Sequence, residues 1–159
     1  MDRTIDEIDA LILDKLQENA RETQAEIARA VGLAPSAVLE RIRKLEARRI
    51  IRGYSADVDP VVLDRAMLAF VAVRSVEGPS DDSVARQLSV LPEVLEVHHV
   101  AGDDCYLIKV RTKDAEALGV LLRTTIGHIP GVRSTRTTIV LETVKETSRL
   151  PIPRQIETV

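Results

Sequence analysis

Three short helical patterns crowd into the first 50 residues, and two strand–helix–strand passages fill the stretch after Pro60. With a swing from acidic to basic charge inside the helical stretch, they predict an α+β chain built in two parts. The first part is expected to be a tri-helical, winged helix-turn-helix unit and the second a ferredoxin-like βαββαβ unit. The organisation expected is residues 1–50 for the helical unit, 51–62 for a linker strand, 63–144 for the second unit and 145–159 for a tail.

The first helix is expected to start near Asp6, capped by Thr4, with Glu7 completing a capping box. Ile5, Ile8, Ile12 and Leu16 recur at spacings of three and four, widened by Leu11 and Leu13, and Asn19 ends the helix. Thr23 and Glu26 form a second capping box, behind which Ile27, Ala28 and Val31 point inward. Gly32 supplies the positive φ of a sharp turn. Pro35 suits the first turn of the third helix, where its missing donor costs nothing. There Val38, Ile42 and Leu45 make the buried stripe. At about 100° per residue, Ala37, Arg41, Lys44 and Arg48 gather to one side of it, with Ser36, Glu40 and Arg43 further round. Ile50, Ile51 and Tyr54 read as a strand or connector, and Asp57 to Pro60 marks a boundary because proline cannot continue a central strand.

Residues 66–76 read as a long apolar strand and 81–91 as a helix with Val84, Leu88 and Leu91 inward. Strands follow at 94–101 and from Cys105 to Arg111, joined by the turn Gly102, Asp103, Asp104. Asp114 caps a helix carrying Leu118, Leu121, Leu122 and Ile126, and the last strand covers 132–143. The repeat of helix, Leu91-Pro92-Glu93-Val94, strand and then helix, Ile129-Pro130-Gly131-Val132, strand supports the βαββαβ order. Both helices then cover one sheet face. The other is left apolar and β-branched, so it is expected to pack on a second copy as a homodimer. The tail, with Pro151 and Pro153, is expected to be irregular or swapped onto a neighbour.

Bulk numbers narrow the function classes. No run of about 18 apolar residues exists to span a membrane, and the acidic N-terminus is wrong for a secretory signal. Cys105 is the sole cysteine, so no intrachain disulfide forms and a cytoplasmic setting is expected. Tyr54, Phe70 and Tyr106 are the only aromatics, too few to stack single-stranded bases. The net charge of −3 hides an asymmetry: three cations face eight acids over residues 1–28, and seven cations face two acids over 29–55. Attraction to phosphate follows this local potential. Taken alone, such a run reads better as a solvated charged helix, until its helical setting is considered. Small residues at the start of the third helix followed by cations suit insertion into the major groove of double-stranded DNA.

The expected DNA contacts are therefore Ser36, Ala37, Glu40, Arg41, Arg43, Lys44, Arg48 and Arg52. Arg41 is favoured for pairing with guanine, and Lys44, Arg48 and Arg52 for holding phosphates. Glu40 either accepts from cytosine or pairs with Lys44 one turn on, the second being favoured. His98 and His99 stand next to each other on a strand and so point to opposite faces, a poor chelate, and Cys105 has no second cysteine. No metal, cofactor or catalytic residue is expected. Cys105 reads as a packed thiol rather than a nucleophile.

In this order and spacing, several stretches resemble the Lrp/AsnC family of feast/famine transcriptional regulators over essentially the whole chain. They are Ile8 to Leu13, Glu26-Ile27-Ala28 with Val31-Gly32-Leu33, and Arg41 to Glu46, then Ile51 to Tyr54, Val100 to Asp104, and Gly131-Val132 with Thr135-Arg136-Thr137. The resemblance implies a cytoplasmic regulator, not an enzyme, built from dimers that assemble into tetramers or octamers. It also implies a C-terminal RAM domain that binds a small molecule, usually an amino acid, between dimers. By itself the Gly102 turn is a hairpin turn. With the resemblance it becomes an effector site, where backbone N–H groups take a carboxylate and Asp103 or Asp104 an ammonium. Val100, Ala101, Thr135, Thr137 and Ile139 would close it. Two departures stand out. Ala34 replaces the usual Ser or Thr cap, losing roughly 1 kcal/mol. Arg49 stands where the family places Gly, at a cost of about 1–2 kcal/mol if its backbone is left-handed. The other reading is an architectural DNA-binding protein with no small-molecule response.

Overall fold

The computed structural model describes residues 4–76, 82–102 and 104–152. The chain divides into two compact units, Met1–Asp57 with Lys145–Val159, and Val58–Val144. The first holds three helices, α1 (Glu7–Glu18), α2 (Gln24–Val31) and α3 (Pro35–Ala47). Asp6 caps α1 by accepting from the Asp9 amide at 2.7 Å. Thr4 does not serve as the cap: Asp6 lies directly before the first helical residue, and its carboxylate also meets the positive helix pole. Asn19 ends α1, and the Thr23–Glu26 capping box on α2 is complete. Gly32 turns the chain at φ 70°, and Pro35 opens α3 behind Ala34, whose side chain makes no cap bond.

Ile12, Ile27, Ala28, Val38, Ile42 and Leu45 form the helical core. Full burial of each larger side chain contributes about 1.5–3 kcal/mol. The expected linker strand over 51–62, and with it a β-wing, is not formed among the described residues. Ile51 joins the helical core instead, and Val58 to Asp64 enters a turn at Pro60. The tail returns to α1 of its own chain. Leu150 donates its amide to Gln17 Oε1 at 2.7 Å and accepts from Gln17 Nε2 at 3.0 Å, and Arg149 pairs with Asp14 at 2.7 Å.

The second unit runs β1 (Met67–Ser75), α4 (Ser83–Ser89), β2 (Val94–His99), β3 (Tyr106–Thr112), α5 (Ala115–Val120) and β4 (Val132–Ile139). A π-helical turn, Leu121–Thr125, and a 3-10 turn, Ile126–His128, continue α5. Asp114 caps α5 by accepting from Ala117 at 2.8 Å. The sheet is antiparallel in the order β2-β3-β1-β4, the split βαβ arrangement. Ala69, Val71 and Val73 of β1 and Tyr106, Ile108 and Val110 of β3 pack with Val84, Leu88, Leu118, Leu121 and Ile126 of the helical layer. By strand alternation the opposite face carries Leu68, Phe70, Ala72 and Leu107. β4 ends at Ile139, short of the expected 143. The Val140 amide makes one more bond, to Leu68.

Candidate functional site

The buried Val38, Ile42 and Leu45 orient α3, so Ser36, Glu40, Arg43 and Lys44 stand exposed on its outer side. Ala37 lies half-buried beside them. Lys44 Nζ meets Glu40 Oε1 at 2.7 Å, and this bond holds the Glu40 carboxyl below its usual range. Of the two roles open to Glu40, the structure shows the pairing. Arg43 and Arg52 are exposed, and neither side chain has a hydrogen-bond or ion-pair partner among the described residues.

Arg41 is placed otherwise than expected. Its Nη1 donates to Asp6 Oδ2 and to Asp9 Oδ1, both at 2.7 Å, tying α3 to the first turn of α1. Asp9 is 8% exposed, so its carboxylate needs this guanidinium to compensate for lost water. The two acids in turn raise the Arg41 pKa. The Asp6 carboxyl is lowered first by the Asp9 amide and then, against desolvation, by Arg41. Arg48, at the end of α3, donates to the Thr4 carbonyl. The expected guanine reader is thus bound to acidic side chains of its own unit.

Tyr54 fastens the chain beyond α3 by donating to Glu46 Oε1 at 2.9 Å. Partial burial and that hydrogen bond push its hydroxyl up to about 12. The fold favours the neutral phenol, so its stabilisation is present in full below the unfolded value near 10. It is lost as pH rises from about 10 to 12. Urea denaturation of wild type and Tyr54→Phe across this window should show a wild-type advantage at pH 7 that has vanished by about pH 12.

In the second unit, the Val100 amide donates to the Cys105 carbonyl at 3.0 Å and closes the β2–β3 turn, where Gly102 adopts φ 125°. Asp103 lies outside the described residues. Asp104 Oδ2 meets Arg136 Nη2 at 2.6 Å. Arg136 was not among the expected site residues. It pairs in register with Ala72, while Thr135, Thr137 and Ile139 pair with Val73, Val71 and Ala69. Strand alternation therefore puts the three expected β4 residues on the helix-covered side and Arg136 on the open side. Within one chain Thr135 sits at the same end of the sheet as the turn. Ile139 is four residues further, about 13 Å away. His98 Nε2 lies 3.1 Å from Glu96 Oε2, His99 stacks near Tyr106 at 5.2 Å, and the Cys105 sulfur lies against the Ser75 backbone. These three potential metal ligands are dispersed.

Residues 5–46 match the AsnC-type helix-turn-helix domain, and residues 68–150 match the Lrp/AsnC ligand binding domain. The chain is 43% identical to the HTH-type transcriptional regulator FL11 of Pyrococcus horikoshii over 148 residues, 93% of this chain and 97% of that one. It is 40% identical to the leucine-responsive regulatory protein of Escherichia coli K12 over 152 residues, 94% of this chain and 93% of that one. The crystal structure of a Neisseria meningitidis transcriptional regulator in complex with L-Met superposes with a TM-score of 0.87 at 32% identity. That match covers 93% of this chain and 97% of the other.

Proposed function

The chain belongs to the Lrp/AsnC family of transcription regulators, and from that membership we propose how it reads DNA and what it senses. It is a DNA-binding regulator rather than an enzyme. The reading of its DNA face is carried by one observation: α3 buries Val38, Ile42 and Leu45 and holds Ser36, Arg43 and the Glu40–Lys44 pair outward. Ser36 and Ala37, small and at the first turn, approach base edges. Arg43 takes the part first expected of Arg41, and Lys44 and Arg52 hold phosphates. Arg41 and Arg48 position α3 from behind.

The effector is an amino acid, a reading supported by the L-Met complex of the related regulator. Its carboxylate and ammonium suit the Gly102–Asp104 turn, where Asp104 and Arg136 offer one charge of each sign. Val100, Ala101 and Thr135 flank that end of the sheet. Thr137 and Ile139 line the site from a second copy. The chain works in the cytoplasm as a dimer formed through the open sheet face, and dimers assemble further around the effector. Binding with unequal affinity to two assemblies shifts their populations. The two recognition helices of a dimer then meet half-sites about 34–36 Å apart. Thermal melting with each of the twenty amino acids tests this. A ligand at a hundredfold its Kd stabilises by about 2.7 kcal/mol. If none does so at millimolar concentration, the chain is an architectural DNA-binding protein without a small-molecule response.

A further inference from the structure

The end of α3 holds an arginine where backbone geometry favours glycine. The Arg49 amide donates to the Glu46 carbonyl at 2.9 Å, and the Ile50 amide to the Leu45 carbonyl at 2.9 Å. These are the two bonds of a Schellman stop. That stop needs left-handed backbone at Arg49, whose φ is 54°. Glycine adopts such a φ freely, whereas a Cβ meets the following carbonyl. The chain does use glycine for the same purpose at the end of α2, where Gly32 has φ 70°. Strain retained at an exposed position points to a role for the side chain that causes it. Arg49 is exposed, and its side chain has no hydrogen-bond or ion-pair partner among the described residues.

The dimensions of α3 indicate what that role is. Its 13 residues make a helix about 20 Å long, set against a major groove about 12 Å wide. When its first turn reaches base edges, its last turn passes the groove rim, where phosphates lie. That end is the negative pole of the helix, which repels phosphate unless cations cover it. Two neighbouring cations are held within their own unit, Arg41 by Asp6 and Asp9 and Arg48 by the Thr4 carbonyl, and Lys44 shares its charge with Glu40. Arg43 lies further back on the helix, which leaves Arg49 and Arg52 beyond its last turn.

We propose that Arg49 is a phosphate-contact residue at the groove rim, its left-handed backbone retained because a long cationic side chain is needed there. This rests on the reading of α3 as the DNA-reading helix. The test uses the full chain with Arg49→Gly, Arg49→Lys and Arg43→Ala, measuring melting and binding to a genomic-fragment duplex across a salt series. Arg49→Gly should raise the melting temperature by roughly 4 °C. It should also weaken duplex binding three- to tenfold, with a log–log salt slope shallower by about one per subunit. Arg49→Lys should restore binding and slope without the gain in melting temperature. If Arg49→Gly melts higher yet binds with unchanged affinity and slope while Arg43→Ala binds weakly, Arg49 is no phosphate contact and the reading of α3 stands. If neither Arg49→Gly nor Arg43→Ala weakens binding, both the proposal and that reading fail.

Discussion

Arg41→Ala should destabilise the helical unit by about 2–3 kcal/mol while leaving duplex recognition by the folded molecules unchanged. The substitution strands the Asp9 carboxylate, which is 8% exposed and takes its ion pair from Arg41 at 2.7 Å. Removing one member of a fully buried pair costs about 3–5 kcal/mol. The partial exposure of Arg41 and the wetter setting of Asp6 bring the figure down. Against a stability on the order of 5 kcal/mol for a unit of this size, the loss is large. Denaturation followed by circular dichroism gives the stability. Anisotropy at 10 °C with operator and random duplexes gives recognition. A variant of unchanged stability that no longer prefers its operator would place the Arg41 guanidinium on a base.

Arg43→Glu should do the reverse, leaving stability within about 0.5 kcal/mol. Duplex affinity should drop ten- to hundredfold at about 0.15 M salt. The position is exposed and outward, so the substitution removes no packing. It trades a cation in the groove for an anion that the flanking phosphates repel, and the salt slope should become shallower by about two per subunit. An affinity equal to wild type would move the DNA face away from this side of α3.

The contrast between these neighbouring arginines shows what sequence periodicity can decide. A helical pattern fixes the angle of each residue around α3, and it correctly separates Val38, Ile42 and Leu45 from the cations. It does not say which way a long side chain a quarter-turn off the core will reach. For Arg41 that is decided by Asp6 and Asp9, more than thirty positions earlier in the chain. Most local signals were legible where the partner lies within a few residues, the exception being the Thr4 cap on α1, whose place Asp6 takes. The Thr23–Glu26 box, Gly32, Pro35 and the Asp114 cap are all of this kind.

Signals that depend on a remote partner were not legible. A strand over 51–62 needs a ladder neighbour, and none pairs with it among the described residues. The grip of Leu150 on Gln17 spans more than a hundred residues. Arg136 is a different case, because strand alternation alone separates it from Thr135 and Thr137. Choosing the other face of β4 would have put it beside Asp104. The βαββαβ order itself was readable, since each strand and helix carries its own apolar repeat.

DNA binding by this chain requires the cationic outer side of α3 to prevail over a net charge of −3. Equilibrium binding of the unmodified protein to duplex DNA between about 50 and 200 mM salt measures this directly. The logarithm of affinity should fall linearly with the logarithm of salt, with a slope of about −3 or steeper. A flat dependence, or no duplex binding at the low-salt end with or without amino acids, would contradict it.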